Sequence, residues 1–141
     1  MNSDQANLIG IWKLTAFDAE VQQTGERAPF FGAAAYGYLI LTPEGRMMAL
    51  LTRKGREPGQ SDQQQAVLFR TMLSYTGTYR VEDGKFITDV DLSWNEVWNG
   101  TEQVRYFTLD GDRLDIITEW APSPIHADRR MGRAILSWVR A

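Results

Sequence analysis

Two neighbouring strand-like segments carry the residues whose types and spacing point most directly to chemistry. In 85–93, Asp89 and Asp91 alternate with apolar residues, so both carboxylates lie on one face of a strand. In 102–110, Arg105 shares a face with apolar side chains, which is unusual company for a guanidinium. Because a buried arginine needs a partner, we expect Asp89 or Asp91 to supply one across the strand pair. The alternative is an exposed ion pair of small energetic worth.

Such a pair inside a cavity could carry out two kinds of chemistry. The planar fork of Arg105 would receive a carboxylate or enolate oxygen of a ligand, and either aspartate would act as a general base if desolvation raised its pKa. We therefore take Asp89, Asp91 and Arg105 as the candidate catalytic residues. The single histidine, His126, lies beside Asp128 and fits either a proton shuttle or a solvated loop residue.

Aromatic side chains in and at the ends of predicted strands are the second group of candidates. A ring of them at the mouth of a barrel would suit a flat apolar ligand, although core packing is the commoner use of aromatic residues. The segment 94–100 is typical of a loop, where its two tryptophans are not needed for packing. The candidate ligand-binding residues are Tyr38, Met48, Tyr75, Tyr79, Trp98, Phe107 and Trp120.

Composition excludes several other kinds of site. The 141 residues include no cysteine and one histidine, which excludes thiolate catalysis, zinc knuckles and histidine-rich metal sites. There is no phosphate-binding glycine loop and no nucleophile elbow, so we expect no metal and no cofactor. A formal net charge of −3 provides no positive field for nucleic acid. Met1–Gln5 does not resemble a signal peptide and no apolar run approaches the ~18 residues of a membrane span, so we expect a cytoplasmic protein.

Short alternating segments separated by turn residues position these candidates in an all-β fold. The first strand covers about 10–20 and places Trp12, Leu14 and Ala16 on its inward face. The other predicted strands are 36–42, 46–53, 75–82, 85–93, 102–110, 113–120 and 132–140. About eight to ten sequential strands are too many for an open sheet, so we predict a single domain, 1–141, forming an up-and-down antiparallel β-barrel that can hold one small ligand.

One short helix interrupts the strands. Ser61 and Gln64 have the spacing of a capping box, which predicts a helix from Ser61 to about Ser74. Its apolar stripe includes Phe69 and Leu73, so the helix is expected to close one end of the barrel.

The motif Gly10-Ile11-Trp12 resembles the glycine-x-tryptophan signature of lipocalins. That resemblance implies a structural role for Trp12, with Arg140 stacked on it across the barrel base. The alternative is an ordinary core tryptophan and an exposed terminal arginine.

A resemblance to the bacterial and fungal lipocalin-like domain family extends over nearly the whole chain. It is carried by four blocks, namely 8–14, 36–47, 75–79 and 100–107. It implies a small calyx-like barrel, sometimes encoded near natural-product biosynthetic genes and mostly without an assigned activity. Family members often carry a histidine where this chain has Asp89, so any role for an imidazole there is lost.

Three functions remain open at this point, because a fold does not select among them. The first is binding of a small hydrophobic or aromatic ligand, with or without a carboxylate, in the barrel interior. The second is a cofactor-independent isomerase, cyclase or hydratase that acts on a natural-product intermediate through Arg105, an aspartate and a tyrosine. The third is a filled barrel that associates with a protein partner. A homodimer is compatible with all three.

Overall fold

The computed structural model describes residues 3–141, which form ten strands and two α-helices. Met1 and Asn2, which belong to the segment used above to argue against a leader, lie outside the described residues. The elements in chain order are α1 (Ser3–Leu8), β1 (Gly10–Val21), β2 (Arg27–Pro29), β3 (Ala35–Leu41), β4 (Arg46–Arg53), α2 (Asp62–Arg70), β5 (Met72–Glu82), β6 (Lys85–Ser93), a 3₁₀ turn (Glu96–Trp98), β7 (Glu102–Asp110), β8 (Arg113–Ile117), β9 (Ala121–Pro122) and β10 (Met131–Arg140).

Eight of the strands form a closed antiparallel barrel. The sheet runs in the order β1-β3-β4-β5-β6-β7-β8-β10, and β1 also pairs with β10 over almost its whole length. The sequence does not predict the short strands β2 and β9. They pair with β1 and β10, respectively, at one end of the barrel. Closure leaves the eight strands without a free edge, and the expected all-β, up-and-down barrel is confirmed.

A β-bulge in β1 changes which side chains face inward. The pairing with β10 shifts between Leu14 and Ala16, so Phe17 rather than Ala16 joins the core. The expectation that Ala16 shares the inward face of Trp12 and Leu14 is therefore wrong. The effect is to place a large ring where strict alternation would place a methyl group.

One end of the barrel is closed around Trp12, which is fully buried. Its indole Nε1 donates a hydrogen bond of 2.9 Å to the carbonyl oxygen of Leu8 at the end of α1. The Arg140 guanidinium lies 4.3 Å from the centre of the Trp12 ring and donates to the carbonyl oxygens of Ile9 (3.0 Å) and Asn7. These contacts join the first and last strands to the N-terminal helix.

Helix α2 has the capping box that the sequence predicts but is shorter than expected. The Gln64 amide donates to Ser61 Oγ at 3.1 Å, and the Ser61 amide donates to Gln64 Oε1 at 3.2 Å. The predicted extension to Ser74 is wrong, because the chain from Met72 onward pairs with β4. Helix α2 has no buried residue, but its last residues reach a cavity inside the barrel, since Arg70 lines the cavity wall and the Phe69 ring lies 6.2 Å from the Trp94 ring. Within residues 3–141 no helix has the length and apolar character needed to span a membrane.

Candidate binding cavity

The barrel contains a cavity of about 380 Å³ at the end opposite Trp12. Apolar side chains from most of the barrel strands make up most of its wall, including Leu39, Met47, Leu51, Ile116 and Leu136. Arg70 of α2 and the loop residues that follow β6 and β8 also contribute to the wall. The volume lies at the lower end of the range of about 300–1,000 Å³ that is usual for small-molecule sites.

An aromatic cluster forms one side of the cavity mouth. The rings of Tyr75 and Trp98 are 5.1 Å apart, and those of Trp94 and Trp98 are 5.2 Å apart. Trp98 belongs to the 3₁₀ turn, which Asn95 caps by accepting a hydrogen bond of 3.3 Å from the Val97 amide. The turn therefore holds the Trp98 indole against Tyr75 and Trp94 on the cavity wall.

A second aromatic cluster, which the sequence reasoning missed, forms the facing wall. Phe17 stacks on Phe30 with ring centres 4.5 Å apart and meets Phe31 edge-on at 5.1 Å. All three line the cavity. The adjacent pair Phe30-Phe31 in a segment without strand periodicity was the available signal, because solvent-exposed loops seldom carry two phenylalanines.

Arg105 lines the cavity, on the inward face of β7 and opposite Phe86 of β6. Its Nη2 donates to Gln103 Oε1 at 2.8 Å and its Nη1 donates to the Val104 carbonyl oxygen at 3.0 Å. Among residues 3–141, no carboxylate lies within ion-pair distance of it. Burial lowers the pKa of the Arg105 guanidinium. Burial also raises the pKa of Tyr75, against the opposing positive charge of Arg105, so the phenol lies in the electrostatic field of that arginine.

The expected pair between Arg105 and an aspartate of β6 does not form. Arg105 faces Phe86, so Asp89 and Asp91, which lie an odd number of residues further along β6, point to the outside of the barrel. Asp89 accepts a hydrogen bond of 3.2 Å from Arg80.

Asp91 is equally unsuited to be a base in the cavity. It accepts two hydrogen bonds, of 2.6 and 2.8 Å, from Arg46. These hydrogen bonds lower the pKa of Asp91, whose side chain is 55% exposed. Both aspartates pair with arginines on the outer surface, so neither is placed to act as a base inside the cavity.

The seven predicted ligand-binding residues divide between the interior and the outer surface. Tyr75 and Trp98 line the cavity. Tyr38 and Met48, also predicted to bind the ligand, are each 51% exposed and do not line the cavity, because Leu39 of β3 and Met47 and Ala49 of β4 occupy the inward positions.

The other three lie inside or beside the barrel but not on the cavity wall. Tyr79 is buried toward the closed end, where its hydroxyl donates to the Thr42 carbonyl oxygen at 3.1 Å. Phe107 packs against the core. Trp120 lies under the Arg133 guanidinium, which is 4.2 Å from the centre of its ring.

The cavity wall is positively charged although the chain is acidic. Arg70, Arg105, Arg133 and Glu119 are its charged residues, which gives a formal charge of +2. Arg133 pairs with Glu20, whose carboxylate lies 2.8 Å away and also pairs with Arg27. Arg70 is exposed to solvent. Among the charged residues of the wall, Arg105 is therefore the cation that is partly buried and has no acidic partner.

Two indole N–H groups on the wall also lack an acceptor. Trp94 Nε1 and Trp138 Nε1 are buried and have no hydrogen-bond partner in the described part of the chain. Both residues line the cavity. Buried donors of this kind usually have an acceptor, so these two N–H groups are exceptions within the described residues.

The single histidine is part of a local turn. Its Nδ1 lies 2.9 Å from Ser123 Oγ, whereas Asp128 pairs with Arg130 at 2.7 Å. Hydrogen bonds from Arg130 lower the pKa of Asp128 to about 2. The His126 and Asp128 side chains therefore have separate partners.

A comparison with known protein families gives a match over most of the chain. A family model described as a lipocalin-like domain matches residues 9–141, which is nearly the whole chain. No curated protein is significantly similar to the chain.

Proposed function

The chain belongs to the lipocalin-like domain family, and from this premise we propose that it binds a small, mostly hydrophobic molecule inside the barrel. The observation that carries the proposal is the cavity of about 380 Å³ with a predominantly apolar wall. A barrel whose purpose was association with another protein would have no reason to leave this space unfilled, because unfilled apolar space lowers stability.

The shape and composition of the wall favour a flat ligand. Aromatic clusters stand on two sides of the mouth, one around Trp98 and the other around Phe17. Rings that face each other across a cleft stack well on a planar apolar molecule. Each Å² of apolar surface removed from water contributes about 25 cal/mol before the costs of association.

Binding without turnover is the simpler function for this site. The cofactor-independent isomerase, cyclase or hydratase needs a base beside the ligand, and both candidate aspartates are on the outside of the barrel. Tyr75 remains inside, but burial raises the pKa of its hydroxyl, which makes it a poor base near neutral pH.

Fluorescence of N-phenyl-1-naphthylamine, a neutral apolar probe, tests the proposal. The probe should bind saturably at one site, and Ala134→Phe, which adds a ring at the cavity wall, should weaken binding at least about tenfold. Leu50→Phe adds a ring on the outer face, where Leu50 is 49% exposed, and should leave the affinity unchanged.

Circular dichroism would verify that both variants fold. Ala49→Leu, which narrows the cavity from another strand, replaces Ala134→Phe if the larger substitution prevents folding. Absence of saturable binding, or equal affinity in the filled and control variants, would refute the proposal.

A further inference from the structure

We propose that the ligand carries a carboxylate and that Arg105 receives it through its guanidinium fork. This inference rests on the proposed function, since it assigns the chemical class of the molecule bound in the cavity. The apolar body of the ligand would then lie between the two aromatic clusters.

The first argument is the contrast between Arg105 and the arginines on the outer surface. Arg46 and Arg80 are exposed, yet each forms ion pairs with carboxylates, at 2.6 Å to Asp91 and 3.2 Å to Asp89. Arg105 is partly buried in an apolar cavity and has only two neutral acceptors, both on its own strand. A cation removed from water normally has an anionic partner, and the chain supplies none to Arg105 within residues 3–141.

The second argument is that Arg105 is already oriented. Its hydrogen bonds to Gln103 Oε1 and to the Val104 carbonyl oxygen hold the guanidinium plane in place. A guanidinium has five N–H donors, and these two bonds leave others available. An arginine held in this way matches a carboxylate with two parallel hydrogen bonds, with little further loss of side-chain freedom.

The third argument is that the polar groups of the wall favour an acceptor. Three of the four charged residues of the wall are arginines, namely Arg70, Arg105 and Arg133. Two acceptors on the wall are already engaged, since Glu119 Oε1 accepts from Tyr106 at 2.7 Å and Thr118 Oγ1 accepts from the Ala134 amide at 2.8 Å. A ligand with an anionic oxygen finds the remaining N–H donors of Arg105 here, whereas an ammonium group meets a wall with a formal charge of +2.

Isothermal titration calorimetry with three probes of equal ring size tests this assignment. The probes are 2-naphthoate, 2-naphthamide and 2-naphthylmethylamine at neutral pH. We expect 2-naphthoate to bind about 10- to 100-fold more tightly than the amide, which is the usual range for hydrogen bonds to a charged group, and the amine to bind most weakly.

Four variants show whether Arg105 is the source of the discrimination. Arg105→Met, which keeps the length of the side chain, should abolish the preference for 2-naphthoate over the amide, and Arg105→Lys should restore part of it. The outer-surface control Arg80→Met should retain the preference. Arg70→Met measures how much of the preference comes from the general positive charge of the cavity wall, and its loss should be smaller than that of Arg105→Met.

The outcomes separate this inference from the proposed function. Equal binding of 2-naphthoate and 2-naphthamide, or a preference lost in Arg70→Met but kept in Arg105→Met, would overturn the carboxylate assignment while cavity binding stands. If neither these probes nor N-phenyl-1-naphthylamine binds, the proposed function itself fails. If Arg105→Met does not fold, Arg105→Lys decides, because lysine keeps the charge without the fork and an undiminished preference would contradict the bidentate geometry.

Discussion

Replacement of Arg140 by alanine should lower the unfolding free energy by about 2–4 kcal/mol. Arg140 donates charge-assisted hydrogen bonds to the carbonyl oxygens of Ile9 and Asn7, and we take about 1 kcal/mol for each because the side chain is 34% exposed. Its contact with the Trp12 ring adds about 0.5–2 kcal/mol. The remaining ion pair, at 3.5 Å to Asp112, contributes little because that carboxylate is 84% exposed.

Urea denaturation followed by far-ultraviolet circular dichroism measures this change. With a slope of about 2 kcal/mol per molar urea, the midpoint should fall by about 1–2 M. Arg140→Lys keeps the charge over the ring without the two-carbonyl geometry and should show an intermediate loss. Arg113→Ala, an exposed arginine at the same end of the barrel, is the matched control. A loss below about 0.5 kcal/mol, or one equal to that of Arg113→Ala, would refute the role of Arg140 in closing this end.

Three other changes test separate parts of the structure. Gly77→Ala should destabilise the fold by about 1–3 kcal/mol or more, because its Cβ would meet the backbone of Asp89; a neutral result in urea denaturation would contradict the register of β5 and β6. Burial raises the pKa of Glu20, but hydrogen bonds from two arginines outweigh burial and the net shift is downward from 4.5. The stability contributed by Glu20 is therefore present above pH 4.5 and lost as pH falls through the lower folded value, so Glu20→Gln should flatten the pH dependence of urea midpoints in that window. Arg105→Met should raise stability by about 1 kcal/mol, or about 3 °C in Tm by thermal denaturation, since it removes an unpaired cation; a loss of similar size would mean that the guanidinium braces the fold.

The main strands could be predicted because their determinants are local. The hairpin predicted at 36–42 and 46–53 is observed as Ala35–Leu41 and Arg46–Arg53, with Gly45 at a φ of +88° in the turn. Alternation of apolar residues specifies a strand from its own sequence, and a glycine with positive φ specifies the turn. The closing of the sheet into a barrel was predicted from the number of strands, because eight to ten sequential strands are too many for an open sheet.

Elements that depend on partners could not be predicted. Strand β2 has three residues, all exposed, and exists because it pairs with Asp18–Glu20 of β1. The bulge in β1 is visible only in the register with β10. Short strands and bulges depend on pairing with neighbouring strands of the sheet. The residue pattern within 27–29 or 10–21 does not encode them.

In the candidate site too, the features set by local sequence could be predicted and those set by strand pairing could not. Alternation correctly grouped Arg105 with apolar residues, and it correctly grouped Asp89 with Asp91. It did not reveal whether the two groups share a side of the sheet, because that depends on the register between β6 and β7. A shift by one residue moves every side chain to the other face, and the observed pairing of Asp89 with Glu102 places the aspartates outside.

The two ends of the barrel differ in how far their polar groups are satisfied, and this difference supports a binding role. At the closed end, the Trp12 indole donates to the Leu8 carbonyl oxygen. Toward the open end, Trp94 Nε1 lacks an acceptor and Arg105 lacks an anion within residues 3–141. Unfilled apolar space and unsatisfied donors both lower stability, and substitutions that would fill the space or remove the donors are easily available. The presence of both features at the open end therefore favours a binding role over a purely structural one. If the unsatisfied end binds an anionic apolar ligand, a saturating carboxylate should raise Tm in the wild type and much less in Arg105→Met.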